Sequence, residues 1–188
     1  MMRAQTGPQV AVELRRLALT DETAFAAFVS TVSEGERRFL KEDIADPITA
    51  FRGFMGEGAT PRLVAVNAAD DLVGLAGAFP GEGWSSHVAE VRVLVSPSYR
   101  GKGVGRALAQ AALNQVLELG CTHAYVEVIA EQEGLVAMFQ DLGFLPEALL
   151  PDFVRDGAGE YHDLMLLTHR ASEHWARTRV LGLDEVVG

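Results

Sequence analysis

VAEVRVLVSPSYRGKGVGRALAQAALNQVLELG, residues 88–120, changes character twice. VAEVRVLV (88–95) reads as a strand, with Val91, Val93 and Val95 on one face. From Gly103 to Leu119 the period becomes helical, with Val104, Leu108, Ala111, Ala112, Val116 and Leu119 as the apolar stripe. That helix is about 25 Å long at 1.5 Å per residue. Gly120 stands where a left-handed cap would end it. The junction, YRGKGVGRAL (99–108), holds three glycines and three cations. A helix start leaves main-chain N–H groups without acceptors and carries the positive end of the dipole. Glycines permit left-handed turns and close approach, and Arg100, Lys102 and Arg106 add positive charge. From Val91 to Leu117 there is no Asp or Glu, although the chain carries a formal net charge of −10. The strand–loop–helix therefore reads as a phosphate site.

Two common phosphate loops fail. A kinase-type loop needs Ser or Thr after its Gly-Lys, and Lys102 is followed by Gly103. The dinucleotide fingerprint needs Gly or Ala at its sixth position. Counting from Gly101 that position is Arg106, and from Gly103 it is Leu108. SPSYR also makes the approach too long for that tight turn.

Outward from the junction, VAVELRRLAL (10–19) reads as a strand, and Thr20 or Asp21 caps a helix carrying Phe25, Phe28, Val29 and Val32. Asp46-Pro47 starts a second helix with Ile48, Phe51 and Met55 as its apolar face. RLVAVN (62–67) and LVGLAGAF (72–79) form a hairpin through AADD. HAYVEVIA (123–130) is a strand, and Leu135, Met138, Phe139 and Leu142 mark a short helix stopped by Gly143. Two last strands, about 145–154 and 160–168, are joined by RDGAG, and Pro151 implies a bulge or an edge. MMRAQTGPQ (1–9) reads as a disordered N-terminal tail, 10–170 as one domain, and 171–188 as an extension able to hold one loose helix. The fold class is α/β, a mixed, mostly antiparallel sheet flanked by about four helices.

With 188 residues, 48% hydrophobic and 22% charged, the chain fits one globular domain. A pI of about 4.9 argues against a general nucleic-acid binder. No apolar run is long enough to cross a bilayer, so no membrane partner is expected. The single Cys121 precludes an intramolecular disulfide, fits a reducing, cytoplasmic setting, and reads as a packing residue.

The pattern V-x-V-x-P-x-Y-R-G-x-G-V-G resembles the GNAT superfamily of N-acetyltransferases, whose hallmark R/Q-x-x-G-x-G/A matches Arg100 to Gly105. FQDLGF (139–144) is similar to the family's later helix, which ends in Leu-Gly-Phe, and the element order agrees from residue 10 to about 168. The resemblance implies a GNAT-like acyl-CoA N-acyltransferase fold and acetyl-CoA as co-substrate. It implies that Arg100, Gly101, Lys102, Gly103, Val104, Gly105 and Arg106 hold the pyrophosphate, and that the main chain of Val93, Leu94 and Val95 faces the pantetheine arm. The acceptor would be a primary amine, cationic in keeping with the acidic chain, attacking directly in a ternary complex. A homodimer is common among such relatives. The alternatives are a non-catalytic acyl-CoA-binding module and an unrelated phosphate-ligand protein.

Glu90, at the start of the central strand, is the expected base, with Glu127 on the neighbouring strand as second choice. Many relatives carry a tyrosine acid where this chain has Phe139, and an asparagine where it has Gln132. That leaves water, Tyr161 or Tyr125 to protonate the thiolate. His162-Asp163 reads as structural, because strand neighbours face opposite sides. The histidines show no metal-ligand spacing. Trp84 lies in a loop that can line an acceptor cleft, and Glu34, Glu36, Glu42 and Asp43 form an acidic link.

Overall fold

The computed structural model describes residues 10–33, 46–55 and 61–171. The expectations for residues 1–9, for the acidic link with Glu34, Glu36, Glu42 and Asp43, and for 172–188 lie outside these residues. In chain order the elements are β1 (Glu13–Arg16), α1 (Glu22–Thr31), α2 (Pro47–Met55), β2 (Leu63–Val66), β3 (Leu72–Pro80), β4 (Val88–Val95), α3 (Val104–Glu118), β5 (His123–Ile129), α4 (Glu133–Asp141), β6 (Leu145–Arg155) and β7 (Tyr161–Arg170). The strands form one seven-stranded sheet in the order β1-β2-β3-β4-β5-β7-β6. Among the described residues only the β4–β5 pair is parallel. A parallel step needs a crossover, and α3 supplies it.

Strand alternation divides the core between two faces. On one face α3 and α4 bury Val104, Leu108, Ala112, Val116 and Phe139 against Ala65, Ala76, Val91 and Val126. On the other, α1 and α2 bury Phe25, Phe28, Phe51 and Phe54 against Val64, Val66 and Leu75. Phe25 meets Phe51 edge-on at 5.4 Å and Phe54 at 5.6 Å, which locks α1 to α2. Each such ring contributes about 1.5–3 kcal/mol by leaving water.

Several local readings shift. β1 is shorter than 10–19, and Arg15 within it reaches Asp21 in a fork of 2.7 and 2.9 Å. Asp21 stands at the N-cap of α1, yet its carboxylate accepts from Ala18 N behind it rather than from the helix. The Arg15 hydrogen bonds hold that carboxyl below the usual carboxylate range. Asp46 starts α2 as expected, accepting from Ile48 N and Thr49 Oγ1. The α2 face is rotated, with Ala50, Phe51 and Phe54 buried and Ile48 46% exposed. In α3 Ala109 and Gln115 join the buried stripe while Leu119 is out. β6 is the outer strand, and its register shifts between Leu150 and Val154, where Asp152 has φ 52°. That is the bulged edge that Pro151 implied. Among the described residues no helix is long and apolar enough to cross a membrane.

Candidate active site

The site begins where β4 and β5 cease to pair. Their parallel ladder covers Val88↔His123, Ala89↔Ala124 and Glu90↔Tyr125, and no further register is shared among the described residues. Beyond it β4 stays paired to β3 and β5 to β7. The sheet therefore forks, with 91–95 as one arm and 126–129 as the other.

The hydrogen-bond phase decides which groups enter the fork. Val88 O accepts from Gly81 N, and Ser96 N donates to Val73 O, both toward β3. In an antiparallel strand the direction alternates residue by residue. Residues 90, 92 and 94 therefore direct their main chain to β3; Val91 N–H closes the last rung of the β4–β5 ladder, and Val93 and Val95 direct their main chain into the fork. The expectation for the pantetheine-facing strand narrows accordingly. Leu94 is turned to Leu75, and the main chain of Val93 and Val95 faces the open side of the fork, where Val95 O accepts from Arg100 Nε.

The glycine loop follows at the tip of this arm. A short 3-10 turn at Pro97–Tyr99 leads into Arg100, whose Nε donates to Val95 O at 3.1 Å. Gly101 has φ 68° and Gly103 φ 85°, both left-handed. Gly103 is the N-cap of α3 and no side chain caps the helix. The first intrahelical bond reaches back from Ala107 N to Gly103 O, so the N–H groups of Val104, Gly105 and Arg106 precede it. Lys102 Nζ lies 5.3 Å from the Tyr99 ring centre. The Arg106 guanidinium is turned aside to Asp141 on α4, at 2.7 Å. That pairing joins α3 to α4. The Arg106 main-chain N–H remains part of the helix mouth.

On the α1/α2 face, at the base of the fork, Glu90 is 6% exposed. Its Oε2 accepts from Arg92 Nη2 at 2.8 Å and lies 3.5 Å from the Tyr125 hydroxyl. Arg92 stacks over Phe79 at 4.2 Å, and Arg62 over the same ring at 3.8 Å. Glu127, half-buried, stands two residues past Tyr125 on the β5 arm. The structure thus brings Glu90, Arg92, Tyr125 and Glu127 to one region. It does not bring Tyr161 there. That residue starts β7 beyond the end of β5, 60% exposed and 5.9 Å from the Arg155 guanidinium. Phe139 is buried, edge-on to Phe144 at 5.2 Å. Gln132 is the N-cap of α4 without a side-chain bond.

His162, Asp163 and Cys121 have partners or burial outside this region. His162 contacts Asp156 at 3.2 Å and Glu131 at 3.5 Å, while Asp163 accepts from Asp152 N. The bond to Asp156 raises the His162 pKa. Burial pushes the Cys121 thiol up, away from nucleophilic use. Trp84 is 95% exposed. Sequence reasoning missed Gln115, whose amide accepts from Ala78 N at 3.0 Å and donates to Pro61 O, tying α3 to the sheet. It also missed the pairing of Glu90 with Arg92; their i, i+2 spacing on a strand was the available signal.

Residues 26–144 match the family model described as the Acetyltransferase (GNAT) family. The chain is 31% identical over 153 residues to streptothricin acetyltransferase of Streptomyces lavendulae, covering 75% of this chain and 78% of that protein. Among solved structures, it resembles a ribosomal-protein-alanine N-acetyltransferase from Brucella melitensis with TM-score 0.74 and 21% identity, over 84% of this chain and 99% of that one. It also resembles a GNAT superfamily phosphinothricin acetyltransferase from Sinorhizobium meliloti in complex with acetyl-CoA, with TM-score 0.69 and 21% identity, over 84% and 87%. A forked sheet and an uncapped, glycine-started helix stand within the matched span, and the chain belongs to the acetyltransferase (GNAT) family.

Proposed function

We propose that this acetyltransferase moves an acetyl group from acetyl-CoA to a primary amine of a small molecule or a peptide, by direct attack in a ternary complex. The observation that carries the reading is the alignment of the fork with the helix mouth. The open arm of β4 runs straight into the loop whose N–H groups start α3. A pyrophosphate at that mouth lets the pantetheine arm lie along Val95, Val93 and Val91, about 13 Å of strand. Main-chain groups of Val93 and Val95 pair with its amides by strand addition. The thioester then reaches the base of the fork beside Glu90. A main-chain N–H there steadies the developing oxyanion. Lys102 and Arg100 contribute charge near the phosphates.

An amine with a pKa of about 10.4 must lose a proton before it attacks. Glu90 takes protons from the nitrogen, directly or through one water, and Glu127 helps to attract the cation. Among the described residues no activated nucleophile accompanies them, in keeping with direct attack rather than an acyl-enzyme. Residues 10–170 form the catalytic domain, and a cytoplasmic location fits its single buried cysteine.

Melting curves with acetyl-CoA, NADH and ATP test the cofactor, because a ligand of the native state raises the transition. Acetyl-CoA should raise it, and a rise with ATP alone would remove the reading. Thiol release should then be followed over streptothricin, lysine peptides, polyamines, amino acids and aminoglycosides. Release dependent on one amine is the expected result, and tight binding without turnover would favour a binding module. Glu90→Gln should lower kcat by about 10²–10⁴ with acetyl-CoA binding retained.

A further inference from the structure

The chain has three tyrosines, and the structure gives each a different post. Tyr99 lies in the loop before α3, where its hydroxyl accepts from Asn67 Nδ2 at 3.0 Å. Tyr161 stacks near Arg155 at the far hairpin. Tyr125 alone meets Glu90, with 3.5 Å between the phenol oxygen and Oε2. It is also the β5 member of the last shared register, Glu90↔Tyr125, so it occupies the last paired position before the fork opens, on the same face as Glu90. Phe139 has no proton to donate and is packed against Phe144.

We infer that Tyr125 protonates the departing thiolate and that Glu90 and Tyr125 form one proton relay; this rests on the transfer reaction proposed above. The ammonium first gives one proton to Glu90, directly or through one water, and Glu90 releases it to solvent. The nitrogen lone pair forms the C–N bond, and the carbonyl π pair moves to oxygen. When the intermediate collapses the C–S bond breaks and its pair stays on sulfur. Sulfur takes the Tyr125 phenol proton. Glu90 takes the second nitrogen proton and passes it to the Tyr125 phenolate. Amine and acetyl-CoA become N-acetyl amine and CoA thiol, and both side chains end as they began.

The relay has a thermodynamic reason. A phenol with a pKa of about 10 gives its proton uphill to a thiolate of about 8.5, whereas a carboxylic acid of about 4.3 returns it strongly downhill. Arg92 bonds the same Oε2 at 2.8 Å and, held over Phe79, keeps the carboxylate facing the phenol. Proton-transfer contacts that are long without substrate commonly tighten in the reacting complex.

The test compares two acetyl donors with the accepted amine. With acetyl-CoA, Tyr125→Phe should lower kcat by about 10²-fold or more while acetyl-CoA still raises the melting transition. With S-phenyl thioacetate, whose thiolate leaves without a proton, wild type and Tyr125→Phe should react at equal rates. An equal loss on both donors, or full rate with acetyl-CoA, overturns the relay. Glu90→Gln separates the two ideas. If it slows both donors while Tyr125→Phe slows neither, only the relay fails; if it slows neither, the proposed base has failed. Should Tyr125→Phe not fold, 3-fluorotyrosine in place of Tyr125 keeps the shape and acidifies the phenol. The basic limb of the kcat profile should then move to lower pH, and an unmoved limb overturns the relay. Glu90 and Arg92 on β4, His123 and Glu127 on β5, Arg170 on β7, and Arg62 over the Phe79 ring that Arg92 also covers are the titratable and charged residues on this face around the phenol.

Discussion

Val88–Glu90 and Val91–Val95 belong to one strand and do different work. The first segment is sealed between β3 and β5. The second keeps β3 on one side and opens the other. Their residue types hardly differ, since both are rich in valine and alanine or leucine. What differs is the neighbour. A strand inside a sheet stabilises the fold, and the same strand with one edge free becomes a row of donors and acceptors for a ligand.

The sharpest break of that contrast is a pair of prolines. Leu94→Pro removes an N–H that faces Leu75 and leaves a buried carbonyl unpaired, a cost of about 1–3 kcal/mol before any clash of the ring. It should abolish the cooperative transition seen by circular dichroism. Val93→Pro removes an N–H that faces the fork, where the strand is locally an edge and tolerates proline. It should fold and lose the melting shift with acetyl-CoA. Two equally folded variants would refute the assigned hydrogen-bond phase.

Next is the floor of the open arm. Gly74 pairs with Val95, and a Cβ there would stand 2.6 Å from Leu108 Cδ1 and 3.3 Å from Leu94 O. Gly74→Ala should cost about 1–3 kcal/mol in urea titration, since overpacking forces Leu108 to move. Gly103→Val tests the mouth itself. A branched side chain at φ 85° should cost about 1–2 kcal/mol and weaken acetyl-CoA binding in the same thermal assay.

The smallest effect concerns the β5 arm. His162 ties the β6–β7 turn, through Asp156, to Glu131 just past β5. Its pKa is raised in the fold above the ordinary 6.5, chiefly by Asp156. The stabilisation is therefore complete below about pH 6.5 and is lost as pH rises through the folded value. Amide exchange at 130–132 and 156–160, corrected for intrinsic rates, should accelerate above that value, and His162→Ala should remove the dependence.

Much of the architecture was legible because it depends on local rules. The period change from two to 3.6 marked β4 and α3, and the glycines marked the turn between them. Pro47, Gly120 and Gly143 announced helix ends through backbone chemistry that needs no distant partner. Side-chain partners were harder to foresee. Nothing near Arg106 in the sequence announces Asp141, which lies far along the chain and pairs with it. Asp21 reads as a cap until Arg15 draws its carboxylate backward. Tyr161 and Tyr125 looked equivalent, and only the strand order separated them.

By itself the sequence determined a glycine-started helix after a valine strand, an acid-free basic stretch around it, and the element order of a GNAT fold. Those properties follow from backbone preference and charge, which act over a few residues. Tertiary structure alone decided that β4 and β5 part after Glu90, that Val93 and Val95 face the parting, and that Tyr125 meets Glu90. The reason is that pairing depends on where non-adjacent strands come to lie, and no local spacing encodes where a ladder stops.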